Sequence, residues 1–365
     1  MNHTDPTNKE LYDKLKKYVI AKYLADDIYL QRIDCGPLRI NCFSACFPVN
    51  AISQQGQRGV YVKIPKIIFY NKEKEKIVPF SGEDVALAED EYNSLIYLSR
   101  YWRNDDDINV HFVKPLGFLR EYNAIITEQF YAKHFFKMYR QYDLKNRFKK
   151  QRNDVHRIMA RLGISLNKFH NPLMKECKFN VESVLTKIET CCSQIKSFGV
   201  DSNFIDKTVL KLRKVECLDI STHLTSTLKG FDVRQVFVNK DGAIFLLDPG
   251  KMKTDYKEMD LARFIATCRI LYWGSMLFFL RMSPDISYEE SFIQAYYRNG
   301  KRLDKVLYIL TIKELLKHWR MAYTVLELKQ WPLLIKKILK KTYIDPFYKW
   351  QINNELVALE RSINE

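Results

Sequence analysis

The stretch Gly230-Phe-Asp-Val-Arg-Gln-Val-Phe-Val-Asn-Lys-Asp-Gly-Ala-Ile-Phe-Leu-Leu-Asp-Pro-Gly-Lys251 decides the reading of the chain. Two apolar runs, residues 236–239 and 243–247, flank Asp241-Gly242, a dipeptide that favours the left-handed turn joining two antiparallel strands. A two-residue loop there sets Gln235 directly opposite Asp248. Opposed residues on neighbouring antiparallel strands point to one face, with Cβ atoms about 4.5–5.5 Å apart. An amide oxygen and a carboxylate then converge on a hard cation such as Mg²⁺. The plainer alternative is a polar pair facing solvent at the end of a hairpin, and the segments around it weigh between the two.

Upstream, residues 28–33, 38–47 and 59–69 are rich in β-branched and aromatic residues. Gly36-Pro37 and the polar residues 50–58 separate them, the pattern of a three-stranded antiparallel meander. A helix is expected from residues 81–83 to Tyr101, with Leu87, Glu91, Leu95 and Leu98 near one face, followed by short strands at 110–118 and 124–128. From about Tyr131 long helices dominate. Ile158, Leu162, Leu166 and Phe169 recur at helical spacing until His170-Asn171-Pro172, where proline stops the helix. The pattern predicts an α+β protein with an antiparallel sheet plus helix over 1–130 and a helical part over 131–365 that contains the hairpin. A small β-rich part followed by a larger helical one with a single hairpin is the layout of kinase-like folds.

Leu246-Leu247-Asp248-Pro249-Gly250, with Asp260-Leu261-Ala262 a dozen residues on, resembles the aminoglycoside phosphotransferase and choline kinase-like branch of the protein-kinase fold. In that family a catalytic loop H-G-D-x-x-x-x-N enters a hairpin that leaves at a metal-binding D-x-G. Val60-Tyr61-Val62-Lys63 is similar to the V-A-I-K strand of kinases. Ile125-Ile126-Thr127-Glu128 resembles the segment joining the lobes, and Leu162-Gly163-Ile-Ser-Leu-Asn-Lys-Phe-His170 resembles the family's L-G-x-x-L-x-x-x-H helix. The matches fall in the family's order. The resemblance implies a two-lobed protein-kinase-like fold and an ATP- and Mg²⁺-dependent phosphotransferase acting on a hydroxyl of a small molecule, sugar or lipid headgroup. It implies that Lys63 contacts the phosphates and that Glu91 pairs with it. Glu128 would lie on the adenine side, where contacts are mostly to backbone groups, and Asp248 and Gln235 would hold metal. Strand alternation puts Tyr61 on the same face as Lys63. As a partly exposed pair, Lys63 and Glu91 are expected to add little to stability.

Departures from the family pattern matter as much. Alignment of the loop puts Gly230 where the catalytic aspartate belongs and Leu228 where the histidine belongs, and Gln235 replaces the asparagine with the same carbonyl one methylene further out. The base that orients the acceptor hydroxyl is therefore missing at its usual place. Asp232 is the nearby substitute and, with Asp248, the candidate catalytic residue; its other reading is a turn-forming aspartate. Tyr61 stands where a small alanine is usual and crowds the adenine side. A pseudokinase or nucleotide-binding scaffold that engages an anionic partner is the second reading.

With 365 residues, 47% of them hydrophobic, the chain has enough apolar content for about two domains, which excludes general disorder. Its 12 glycines are few, and neither G-x-G-x-x-G nor G-x-x-x-x-G-K-[ST] occurs, so Rossmann and P-loop chemistry lose their support. The 59 Lys and Arg against 43 Asp and Glu leave +16, denser at residues 145–157 and 336–341. Residues 333–341 have an amphipathic interfacial pattern that suits peripheral membrane contact. Nucleic acid is disfavoured as a partner, because no RNA-reading aromatic motif accompanies the charge. Eight cysteines at irregular spacing and a polar N-terminal segment fit reduced thiols in the cytoplasm, and Cys35, Cys42 and Cys46 lack a C-x-x-C or nearby histidine to complete a zinc set. The apolar run 265–282 is broken by Arg269 and Arg281 and reads as a buried helix.

Overall fold

Leu11, Leu15 and Val19 recur every fourth residue along α1 (Pro6–Val19), and all three are buried. The computed structural model describes residues 6–24, 30–41, 43–54, 56–66, 77, 79–101, 109–139, 153–215, 219–273, 286–298, 302, 304–329 and 331–364. The first part of the basic stretch 145–157 and the end of the apolar run 265–282 lie outside these residues, as does Cys42. The chain divides into two units, Met1–Lys133 with Gln235–Met252, and His134–Arg234 with Lys253–Glu365.

The first unit is built on an antiparallel sheet of β1 (Leu30–Cys35), β2 (Arg39–Ile40), β3 (Ser44–Ser53), β4 (Gly56–Pro65), β6 (Pro115–Leu119) and β7 (Ala124–Glu128), in the order β1-β3-β4-β7-β6 with β2 beside β3. Residues 50–58, read from sequence as a separator, belong mostly to β3 and β4, which continue to a tight reversal between Ser53 and Gly56. Alternation sorts the side chains. Ala45, Phe47, Val49, Val60, Val62, Ile64, Ala124 and Ile126 form one core with Leu11, Leu15, Val19 and Leu24. The partners Cys46, Lys63 and Ile125, and next to them Pro48, Tyr61 and Thr127, line the opposite face.

Between β4 and β6 come α2 (Gly82–Tyr101) and β5 (Val110–Phe112). A capping box starts α2: the Asp84 amide donates to Ser81 Oγ at 3.1 Å, and the Ser81 amide donates to the Asp84 carboxylate at 2.9 Å. Asp84, Ala88, Glu91, Leu95 and Leu98 are its buried stripe. Hairpin strands Val236–Val238 and Ile244–Leu246 also belong to this unit, because Ile244–Leu246 forms a parallel ladder with β5. The sequence expectation of a helical part over 131–365 includes this hairpin; its hydrogen bonds to β5 place it with the sheet unit instead.

The second unit contains α3 (Asn153–His170), β8 (Lys175–Lys178), α4 (Val181–Ser197), α5 (Ser202–Arg213), β9 (Ser221–Leu228), β10 (Met252–Tyr256), α6 (Glu258–Trp273), α7 (Ile286–Tyr297), α8 (Asp304–Leu328), α9 (Leu333–Leu339) and α10 (Asp345–Asn364). A Cβ at Gly163 of α3 would strike the backbone carbonyl of Phe292 on α7, so only glycine allows these helices their close approach. Arg269 of α6 is buried between Glu289 of α7, at 2.9 Å, and Glu355 of α10. The small sheet β10-β9-β8 has no counterpart in the sequence reading. No described helix is long and apolar enough to cross a membrane.

Candidate functional site

Lys63 stands on β4 with ladder partners on both sides, Cys46 and Ile125, so its direction is fixed by the sheet. Its ammonium lies 2.7 Å from Glu91 Oε1 on α2 and is also hydrogen-bonded to Asp248 Oδ1 after the hairpin. Three distant segments therefore meet at one cation. The Glu91 side chain is only 6% exposed and Asp248 is 34% exposed. Of the pair expected to be partly exposed, Lys63 keeps 18% of its side chain exposed, whereas Glu91 is buried because it falls in the apolar stripe of α2.

Burial opposes the charge on Lys63, but Asp248 and then Glu91 outweigh it and hold the ammonium above its ordinary range. Glu91 moves up from the ordinary carboxylate value, first through burial and then through the neighbouring Asp248 charge, with Lys63 pulling the other way. One lysine thus serves two carboxylates. Asp248 is the more exposed of the two, and it is the carboxylate that a phosphate-bound metal would reach.

Gln235 and Asp248 do come together, though not by the expected register. The ladder pairs Val236 with Leu246, Phe237 with Phe245 and Val238 with Ile244. Asn239 donates to Ala243 at 3.0 Å, and Gly242 adopts a left-handed φ of +79°, so three residues rather than two form the loop. Leu247, whose amide donates to the Gln235 carbonyl at 2.9 Å, takes the place expected for Asp248. A one-residue shift reverses the faces. Asp248 regains the side of Gln235 by leaving the strand conformation, with φ +51°, and its Oδ2 lies 3.5 Å from Gln235 Nε2.

The donors fit a magnesium ion that completes its shell elsewhere. Asp248 offers a carboxylate, and the Gln235 amide offers a carbonyl once turned over. No cluster of three or more acidic, histidine or cysteine ligands exists among the described residues, so a magnesium ion held here would need phosphate oxygens and water to complete its shell, as is usual for Mg²⁺.

Asp232 is placed in the second unit and is already engaged. Arg234 binds both its oxygens, with Nη2 at 2.6 Å from Oδ2 and Nε at 3.1 Å from Oδ1, and the Arg234 amide donates to Oδ1 at 2.7 Å. Sequence reasoning missed this partner, although an aspartate two residues before an arginine in a tight turn is a local signal. Around the preceding strand the second unit holds a buried network. Asp260 Oδ2 accepts from the Leu228 amide at 2.9 Å and lies 3.2 Å from His170 Nε2. Arg263 donates to the Leu228 carbonyl and, at 2.9 Å, to Asp260 Oδ1, while Glu314 lies 3.8 Å from Arg263 and 3.0 Å from Lys317. The backbone at Leu228 is held at both its polar atoms even though its side chain is apolar. Burial would raise the Glu314 carboxyl, but Lys317 and Arg263 prevail and bring it down to about 2.

Glu128 ends β7 with its side chain exposed, and its amide donates to the Lys114 carbonyl at 2.9 Å. The next amide, Gln129, donates to the Gly59 carbonyl at 2.8 Å. Tyr61 projects from the Lys63 face, and its phenol is shifted upward by burial and then by contact with Cys46.

No family model and no curated protein matches the sequence. Solved structures do match in three dimensions. Choline kinase LicA from Streptococcus pneumoniae superposes with a TM-score of 0.50 at 12% identity over 96% of this chain and 99% of that one. An ethanolamine kinase from Plasmodium vivax gives 0.51 at 11% identity over 99% of this chain and 92% of that one. Macrolide 2'-phosphotransferase MphH from Brachybacterium faecium gives 0.50 at 11% identity over 87% and 93%. At this identity the likeness is one of fold: the chain has the two-lobed protein-kinase-like fold that these choline, ethanolamine and macrolide kinases share.

Proposed function

We propose that the chain is a phosphotransferase that moves the terminal phosphoryl group of ATP to a hydroxyl of a small molecule, a sugar or a lipid headgroup. The observation that carries this reading is Lys63 held between Glu91 and Asp248. Phosphoryl transfer through a loose transition state depends mainly on positioning and charge, and such a lysine supplies both at the phosphates. Glu91 keeps Lys63 in place. Asp248 and Gln235 would hold Mg²⁺, which neutralises charge on the phosphates when bound. Glu128 and its neighbours would border the adenine, through carbonyls rather than through the Glu128 and Gln129 amides already spent within the sheet. Asp232 is the carboxylate left in the loop to orient the acceptor, and it does so only when Arg234 lets go of it.

A second reading, a nucleotide-binding scaffold without transfer activity that engages an anionic partner, is favoured by Gly230 at the base position and by the Asp232–Arg234 pair. Thermal shift with ATP, with and without Mg²⁺, comes first: a ligand at about 100 times its Kd adds about 2.7 kcal/mol. Transfer is then assayed on sugars, aminoalcohols and lipid headgroups. Asp248→Asn should abolish the Mg²⁺-dependent part of the shift, and Asp232→Asn should lower kcat far more than it changes nucleotide Kd. Binding without any transfer, with activity appearing only in Gly230→Asp/Gln235→Asn, would establish the scaffold reading; no nucleotide response at all would sink both.

A further inference from the structure

Large apolar side chains exposed one at a time are ordinary on any protein surface. Here five of them fall within eight consecutive positions: Trp331, Leu333, Leu334, Ile335 and Ile338, with Leu333 80% and Leu334 69% exposed. They lead into and occupy α9, a helix with no buried residue. Its inner side is tied down by lysines: Lys336 Nζ donates to the Glu327 carbonyl at 2.9 Å, and Lys340 Nζ donates to Glu327 Oε1 at 2.5 Å and lies 4.7 Å from the Tyr323 ring centre. At about 100° per residue, Leu334, Ile335 and Ile338 share an arc of roughly 100° on the outer side. Lys337 and Lys341, both exposed, flank that arc.

The charge around this face selects what covers it. Residues 329–344 contain five lysines and no acidic residue, in a chain of net charge +16. Lys336 and Lys340 are already paired with Glu327, so a second copy docking through the same face would set Lys337 and Lys341 against their own counterparts. An anionic bilayer pairs with them and accepts the apolar arc below its headgroups, and a tryptophan at the edge suits that boundary. We propose that residues 331–341 form a membrane-docking element that lays α9 in the headgroup layer of an anionic lipid surface. The assignment does not depend on the phosphotransferase reading.

The test is flotation of the full chain with vesicles of phosphatidylcholine alone and of phosphatidylcholine with about 30 mol% phosphatidylserine. Binding is expected to the mixed vesicles only and to weaken as salt rises from about 0.1 to about 0.5 M, where screening shortens to a few ångströms. Leu334→Ser/Ile338→Ser and Lys337→Ala/Lys341→Ala should each lower the partition coefficient about tenfold or more, with unchanged circular dichroism and melting temperature because all four side chains are exposed. Trp331 fluorescence, isolated by difference from Trp331→Phe, should shift to the blue on binding. Failure of the wild type to bind mixed vesicles, or equal binding by both double variants, overturns the proposal. So does a concentration-dependent dimer in sedimentation that Leu334→Ser/Ile338→Ser abolishes, since the face would then belong to a second copy.

Discussion

Glu314→Gln should weaken the second unit by an amount that shrinks as the solution becomes acidic. The wild-type carboxylate is 2% exposed, sits 3.0 Å from Lys317, and titrates near 2 rather than 4.5. A drop of about 2.5 units at about 1.4 kcal/mol each corresponds to roughly 3 kcal/mol of stability above the ordinary carboxylate pKa. Because the folded value is the lower one, this contribution is complete at neutral pH and is lost as pH falls from about 4.5 toward 2. The glutamine variant has no such carboxylate to protonate. The gap between wild type and variant should therefore be about 3 kcal/mol at pH 7 and about half of that at pH 3. Urea unfolding at pH 7, 5, 4 and 3, followed by circular dichroism with each transition fitted separately, measures it. A gap that stays constant over this range, or one below about 1 kcal/mol at pH 7, would refute the claim that Lys317 and Arg263 hold Glu314 charged. Glu314 also supports Arg263, which grips the Leu228 carbonyl, so amide exchange at Leu228 should quicken in the variant.

Lys63→Met strands two carboxylates, one of them buried, and should cost about 2 kcal/mol as well as the Mg-ATP thermal shift; an unchanged melting point would show that Glu91 finds another partner. Tyr61→Ala opens the Lys63 face and should tighten ATP binding about tenfold, or by about 1.4 kcal/mol, in titration calorimetry; unchanged or weaker binding would mean that the ring does not occupy space the nucleotide needs. Asp260→Ala leaves Arg263 and the Leu228 amide without their buried partner and should cost about 3–5 kcal/mol in urea unfolding, while a loss under about 1 kcal/mol would make the network dispensable.

Much of this was legible because one-dimensional patterns report local periodicity. Gly82–Tyr101 and Ala124–Glu128 follow from capping residues and alternation, and Lys63 reaches Glu91 because strand and helix phase aim both the same way. The hairpin register was harder. Asp241-Gly242 serves a two-residue or a three-residue loop, and only the position of the left-handed glycine within the turn distinguishes them. The β9 strand eluded the reading because Ser221-Thr-His-Leu-Thr-Ser-Thr-Leu228 carries few apolar residues and is paired at both edges instead. The α1 helix was legible in principle at Leu11, Leu15 and Val19, but lysines and polar residues between them masked the stripe. Whether Asp232 is free or bound to Arg234 depends on side-chain geometry that spacing does not encode.

The first unit is discontinuous in sequence, and that sets a timetable for its synthesis. Lys63 leaves the ribosome 185 residues before Asp248, a delay of about 10–40 s at roughly 5–20 residues per second. Within that interval β5, once made, lacks the strand it pairs with until Ile244–Leu246 follows, and the whole of His134–Arg234, destined for the other unit, is made in between. The leading helix waits as well, though more briefly, since its apolar side has no sheet to cover until β3 and β4 have emerged, and a helix of 14 residues is marginal alone. A nascent chain stalled or cleaved anywhere between residues 134 and 234 would carry the lysine and Glu91 without the aspartate that joins them, so the site is completed only after the sheet unit has committed to the rest of the chain.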